Sequence, residues 1–388
     1  VNEPELSELS ELLDLEDVER VAAGRLDEMA LGYYAGGSGE ERTLRNNRAA
    51  WAELDVWYRT LVDVSSCSTT TSVLGLDLPA PVLVAPTALH RLAHPDGELA
   101  TAQACSGAGI PMVVSSLAST LLEDICAVTD APVLMQLYIG QRPEVSEALV
   151  ARAEAAGCAG IQLTVDTPVW GERHREHRTG FHLPEGVDVV NLRRHAPEPA
   201  GAAADGARGG ASDGASDEAG DGASGGIGEI LGWAVSPSVT WDDLARLCGS
   251  TSLPVLTKGV CRPDDARRAI EAGAAGVVVS NHGGRQLDGA PATAVSLGPV
   301  ASAVRSADPG AVILVDGGIR TGVDVLRALA LGAHAVQIGR PVLWGLAAGG
   351  QDGVRRVLDL LIADVRRCMT LAGCPTVGDV TAELLAPD

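Results

Sequence analysis

Eight short apolar runs recur along this chain: APVLVAPTA, IPMVVSS, PVLMQLY, GIQLTVDT, LPVLTKGV, AGVVVSNHG, AVILVDGG and AVQIGRP. Their cores are apolar at successive positions, so both faces of each strand must be covered. Amphipathic helical stretches separate them, among them PEVSEALVARAEAAG, RPDDARRAIEAGA and TGVDVLRALALGA. Several of these stretches end in Ala-Gly or Gly-Ala, a helix stop placed just before a buried strand. Eight β/α units in series predict an α/β fold, a closed (β/α)8 TIM barrel over residues 80–373, with a doubly wound open sheet as the alternative. Residues 1–79 read as an N-terminal helical extension, 343–373 as a long C-terminal helical region and 374–388 as a C-terminal tail.

One stretch breaks the pattern. Residues 196–229, APEPAGAAADGARGGASDGASDEAGDGASGGIGE, are nearly all Ala, Gly, Ser and acids. Such a segment cannot bury enough apolar surface to offset its ordering entropy, so it reads as a disordered insertion within the barrel, after strand 4. It carries seven acids and one base, and residues 1–19 carry eight acids and no base. These two segments supply 14 of the chain's 22 net negative charges, so the acidity is peripheral and favours solubility. Nucleic acid is excluded as a partner class, because phosphate-backbone binding needs a basic face. No run of about 18 apolar residues suggests a membrane span. No secretory signal pattern is visible, so a cytoplasmic location is expected. The eight cysteines form no Cys-x-x-Cys and read as reduced and mostly buried. His174, His177 and His182 fit no metal spacing and are crowded by Arg173, Arg175 and Arg178, so no metal site is expected.

The apolar runs share a second property. Nearly every one ends in a polar or glycine-rich group: Thr87, Ser115, Gln136 with Tyr138, Thr164 with Asp166, Lys258, His282 with Arg285, Asp316, and Gly339 with Arg340. Each could merely satisfy a loop backbone. In a barrel, however, all strand C-termini converge on one mouth, where active sites sit. DGGIR at strand 7 and IGR at strand 8 offer close backbone approach and, with Arg340, a phosphate seat. His282 is a candidate general base, and Asp166 could orient it and stabilise its imidazolium. Arg173 and Arg285 can grip a carboxylate through bidentate donors. Lys258 is a positive charge suited to a developing anion. A phosphate-anchored cofactor, a base and a carboxylate clamp together suggest oxidation of a hydroxy acid.

The motifs SNHGGRQLDG, TVDTP, QLY, LTKGV, DGGIR and IGRP resemble those of the FMN-dependent 2-hydroxy-acid oxidases and dehydrogenases, a family that includes glycolate, lactate and mandelate oxidases. The resemblance runs from about Tyr33 to residue 373. It implies FMN as cofactor and His282 as the base, with Arg173 and Arg285 on the substrate carboxylate. It implies that Tyr138 and Tyr33 contact the carboxylate or hydroxyl. Thr87, Ala88, Ser115, Gln136, Thr164, Lys258 and Ser280 would line the flavin, with Lys258 near N1. Asp316, Gly317, Gly318, Arg320, Gly339 and Arg340 would hold the ribityl phosphate end. The implied reaction is oxidation of an L-2-hydroxy acid to the 2-oxo acid, with reduced flavin reoxidised by O2 to give H2O2. A homotetramer is implied by the same analogy.

Three positions bear on the variant of that chemistry. Leu117 stands where many glycolate oxidases carry Trp and lactate oxidases often Tyr, and Trp170 lies on the following loop, so a substrate larger than glycolate is expected. Ala88 resembles the oxidase choice. Some mandelate dehydrogenases of the family reach the membrane through an insertion near 190–230, whereas the acidic, Gly- and Ala-rich insertion here cannot partition into lipid. A dehydrogenase using a quinone or another acceptor is the alternative. An FMN-dependent isomerase and a non-catalytic barrel are the remaining ones.

Overall fold

The computed structural model describes residues 9–195 and 227–385. Three helices, Leu15–Arg25, Glu28–Ala35 and Arg42–Ala52, come first. They are followed by two short antiparallel strands, β1 (Thr71–Val73) and β2 (Leu76–Leu78). The turn between them holds Leu74 and Gly75 at φ 55° and 74°. Positive φ at both central residues is the hairpin geometry that matches strand twist. The N-terminal extension is therefore not purely helical. Strands of three residues carry too little alternation to be read against neighbouring turn residues.

The eight apolar runs form β3 (Val82–Val84), β4 (Met112–Val114), β5 (Val133–Leu137), β6 (Gly160–Thr164), β7 (Val255–Val260), β8 (Gly276–Val279), β9 (Val312–Val315) and β10 (Ala335–Ile338). All neighbours pair in parallel, and β10 returns to β3, so the sheet closes into a barrel. The open-sheet alternative is thereby ruled out.

Closure sorts the side chains. Leu83, Val113, Leu134, Leu256, Val278, Leu314 and Ala335 pack together as one buried cluster inside the ring, joined by Val73 and Leu78 of the hairpin, which close it from below. The alternate residues, such as Val82, Val84, Met135, Ile161 and Val277, pack outward against the helices. Successive strand side chains point to opposite faces. The next inward position after each inner residue is thus two along: Ala85, Ser115, Gln136, Lys258, Ser280, Asp316 and Gln337. Those residues form the layer at the C-terminal mouth. On β6 the register pairs Gln136 with Gln162 and Thr164 with Lys258, which puts Thr164 in the same layer.

The mouth is roofed on one side by the N-terminal helices. Asn47 and Asn281 exchange two amide hydrogen bonds of 2.8 Å, Trp51 Nε1 donates to Gly317 O at 2.8 Å, and the Ser38 amide donates to Gly284 O at 2.9 Å. The C-terminal helix Arg340–Ala372 packs against Leu15–Arg25 and Gly97–Ala108, with a break at Gly349 and Gly350. Residues 377–384 are not a loose tail: they form two 3-10 turns with Leu384 buried, and Leu385 bridges Val56. The low-complexity insertion lies outside the described residues up to 226. Its last three positions instead open the helix Ile227–Ala234.

Leu134 is fully buried in the inner layer. Leu134→Ala is expected to cost about 2–5 kcal/mol, the range for an unfilled core cavity. Thermal or urea unfolding checks this, and a loss within error would mean that the inner layer is not close-packed.

Candidate active site

One cavity opens at the barrel mouth, and nearly every residue singled out at the strand ends lines it: Tyr33, Thr87, Ala88, Ser115, Gln136, Tyr138, Thr164, Arg173, Lys258, His282, Arg285, Asp316, Gly317, Gly318, Arg320, Gly339 and Arg340. Asp166 and Ser280 stand immediately behind it, bonded to residues in that lining.

At one end are Arg320 and Arg340. Arg340 donates to the carbonyls of Tyr34, Gly283 and Gly36 at 2.9, 3.0 and 2.9 Å. Arg320 donates to Ile319 O, and its buried Nε has no partner. Neither guanidinium forms a salt bridge to a carboxylate among the described residues. Burial pulls Arg320 down to about 10 and, reinforced by Arg285 and Arg320, pulls Arg340 down to about 9. Two partly buried cations with no salt-bridged carboxylate among the described residues offer a seat for a dianion. Gly317 and Gly318, at φ 90° and 88°, turn the backbone beside them, a conformation open to glycine.

The middle is a network of fixed donors. Lys258 Nζ lies 2.9 Å from Asp316 Oδ2 and 2.9 Å from Ser280 Oγ. Burial alone would pull Lys258 down, but Asp316 and Asp166 outweigh it and its pKa is raised, so the ammonium stays charged. Gln136 Nε2 donates to Thr164 Oγ1 at 3.0 Å, while its Oε1 accepts from the Ser116 amide at 3.0 Å. Asp316 Oδ1 and both amide ends of Gln337 are buried and unpartnered in this cavity.

At the other end His282 Nδ1 lies 2.8 Å from Asp166 Oδ1. His282 sits in the left-handed region at φ 58°, with its amide bonded to Ser280 Oγ at 3.0 Å. Burial lowers its pKa and Asp166 only partly restores it, so the imidazole is neutral and basic at neutral pH. Gly259 of the TKGV motif explains how Asp166 fits: a Cβ at Gly259 would come within 2.6–2.8 Å of the Asp166 side chain. Beside this pair are Arg173 and Arg285. Arg285 donates to Tyr33 O and Gly36 O at 2.6 and 2.9 Å, and its guanidinium lies 5.0 Å over the Tyr33 ring. Tyr138 is buried, which raises its pKa and keeps it a phenol. Its ring meets Trp170 edge-on at 5.7 Å.

The model of the FMN-dependent dehydrogenases matches residues 22–387 of this chain. The chain belongs to that family of FMN-dependent 2-hydroxy-acid oxidases and dehydrogenases. It is 43% identical over 378 residues to an L-lactate oxidase from Nostoc sp., covering 95% of this chain and 96% of the relative. It is 45% identical over 360 residues to a 4-hydroxymandelate oxidase from Amycolatopsis orientalis, covering 93% and 94%. A solved structure of mandelate oxidase with (S)-4-hydroxymandelic acid superposes with a TM-score of 0.85 at 42% identity, over 97% of this chain and 98% of that one.

The protein is thus an FMN-dependent oxidoreductase of this family, and the cavity fits the cofactor. The two arginines match a phosphate dianion. The free Asp316 Oδ1 and Gln337 amide can take up ribityl hydroxyls and ring polar atoms, and Lys258 offers a cation in the same layer. Sequence reading did not single out four residues that shape the site: Gln337, Gly259, Ser116 and Glu176. Gln337 was legible, since it sits two positions after inward Ala335. Glu176 was not: its Oε1 lies 3.3 Å from Arg173 Nη1, three residues away, but its role depends on the 3.0 Å contact with Arg285 Nη2, 109 residues away.

The Asp166 charge raises the His282 pKa against the lowering effect of burial. Asp166→Asn is therefore expected to shift the acid limb of the kcat/KM–pH profile to lower pH. It should also reduce kcat by roughly 10²–10⁴-fold, the range for losing a well-poised base. An unmoved limb in a variant that still binds FMN would remove Asp166 from the pair.

Proposed function

We propose that the enzyme oxidises an L-2-hydroxy acid to the 2-oxo acid and passes the electrons to O2, giving H2O2. The observation that carries this reading is the placement of the Asp166–His282 pair beside Arg173 and Arg285 in the cavity that fits FMN. FMN, when bound, would take up the two electrons and one of the two protons that the substrate loses. The protein does the rest. Arg173 and Arg285 hold the carboxylate, and Tyr33 and Tyr138 hold the carboxylate end and the hydroxyl. His282 Nε2 takes a substrate proton, and Asp166 steadies the imidazolium that results. Arg320, Arg340 and the turn at Gly317 and Gly318 hold the phosphate. Asp316, paired with Lys258, would offer its free Oδ1 to a ribityl hydroxyl, and Lys258 would stabilise negative charge gained by the flavin. Thr87, Ala88, Ser115, Gln136, Thr164 and Ser280 form the remaining wall.

The substrate we favour is an aryl or long-chain acid. Leu117 is buried and lines the cavity, and an aliphatic side chain there leaves room for a bulky C2 substituent. Trp170 shares that wall but is held back by a 2.9 Å bond from its Nε1 to Leu231 O. The relatives named for mandelate and 4-hydroxymandelate support the same choice.

Anaerobic mixing of the FMN-loaded enzyme with glycolate, L-lactate and (S)-mandelate should bleach the flavin fastest with mandelate. Admitting O2 should restore the colour and yield one peroxide per turnover. Reduced flavin that persists in air and reoxidises only with quinones or dyes would make the enzyme a dehydrogenase.

Leu117→Trp is expected to lower kcat/KM for mandelate by roughly 10–200-fold while sparing lactate, the span available from apolar contact and overpacking in a pocket. An unchanged mandelate-to-lactate ratio would move the specificity away from Leu117.

A further inference from the structure

We propose that Glu176 sets the net charge of the carboxylate clamp to one, so that the site takes a monocarboxylate and disfavours a dianion. This rests on the reading of Arg173 and Arg285 as the clamp.

Glu176 lies on the short helix His174–Arg178 and is largely buried, as are both arginines. A single oxygen, Oε1, serves both guanidinium groups, at 3.0 Å from Arg285 and 3.3 Å from Arg173. Every other partner of the two arginines described here is neutral. Arg285 meets the carbonyls of Tyr33 and Gly36 and the Tyr33 ring, and Arg173 meets Arg285 O and the Trp170 ring. Two cations and one anion leave a charge of one.

Elsewhere in the cavity Lys258 is paired with Asp316, and the Asp166 carboxylate, bonded to the neutral imidazole of His282, adds to the negative charge that keeps Lys258 protonated. Arg320 and Arg340 form no salt bridge among the described residues, although Glu19, Asp324 and Glu41 lie near enough to act on them, and they face the seat that fits a phosphate dianion. At the clamp itself, the charge of one matches a monocarboxylate. In a partly buried site such matching is worth more than in water, because charge interactions there are weakly screened. Removing Glu176 would leave the clamp doubly charged, and a second negative charge on the ligand would then gain as much as the first.

The test uses FMN-loaded wild type and Glu176→Gln, which keeps an oxygen acceptor for both arginines and loses only the charge. Pyruvate, oxalate and lactamide are titrated against the flavin absorbance at low salt, giving a monoanion, a dianion and a neutral ligand of similar size. In Glu176→Gln the pyruvate Kd should fall roughly tenfold, and the oxalate Kd by roughly the square of that factor. The lactamide Kd should not move, and Glu176→Asp should restore the wild-type ratios. If Glu176→Gln does not load FMN, Glu176→Ser, which admits water to the vacated space, carries the same expectation. Equal factors for pyruvate and oxalate, or a shift in lactamide as well, would overturn the proposal in favour of a purely structural role. Arg173→Gln and Arg285→Gln separate the two levels of inference. If neither weakens pyruvate or oxalate, the clamp reading itself fails. If both weaken them while Glu176→Gln leaves the ratio unchanged, only the role of Glu176 fails.

Discussion

Closure of eight parallel strands into a ring is the constraint on which everything else in this protein depends. It forces alternate side chains inward, where there is room for one packed layer after another. The lower layer is aliphatic and sealed by the hairpin Val73–Leu78. The upper layer, two residues along each strand, is polar because it faces the mouth. The same geometry that makes the core therefore delivers Ser115, Gln136, Thr164, Lys258, Ser280 and Asp316 to a single ring of positions. No separate device is needed to assemble them.

The second governing feature is how charge is distributed in a space with little water. Lys258 and Asp316 neutralise one another at 2.9 Å, and His282 and Asp166 form a second pair at 2.8 Å. Arg320 and Arg340 do not have such partners among the described residues, and burial depresses both. A buried cation that stays unpaired is costly unless a ligand completes it. That cost, concentrated at the ends of β9 and β10, marks the phosphate seat more firmly than the glycines of DGGIR and IGR do. The polar atoms left unpartnered on Asp316 and Gln337 continue the same line towards the middle of the cavity.

Legibility differed from element to element for physical reasons. The barrel strands were readable because an apolar run buried on both faces has no other stable placement. The hairpin was not, because two three-residue strands leave almost no periodic signal. The low-complexity stretch overlaps at its last three positions the helix Ile227–Ala234, which at eight residues is too short to show a clear period in sequence. Gly259 was quoted within a motif, yet its purpose appears only beside Asp166, whose side chain fills the space a Cβ would take.

What the amino-acid sequence determined by itself was the alternation of buried strands and amphipathic helices, and with it the ring of strand-end residues from Thr87 to Arg340. Those are local properties, fixed by hydrophobic period and by the residue that ends each run. What only the tertiary structure decided was which of these groups meet. Asp166 reaches His282, Lys258 reaches Asp316, Arg285 lies over Tyr33, and Glu176 bridges Arg173 and Arg285. Most of these pairs are separated by tens to hundreds of residues. Local propensity holds no information about them, because their distances are set by barrel closure and by the packing of the N-terminal helices over its mouth.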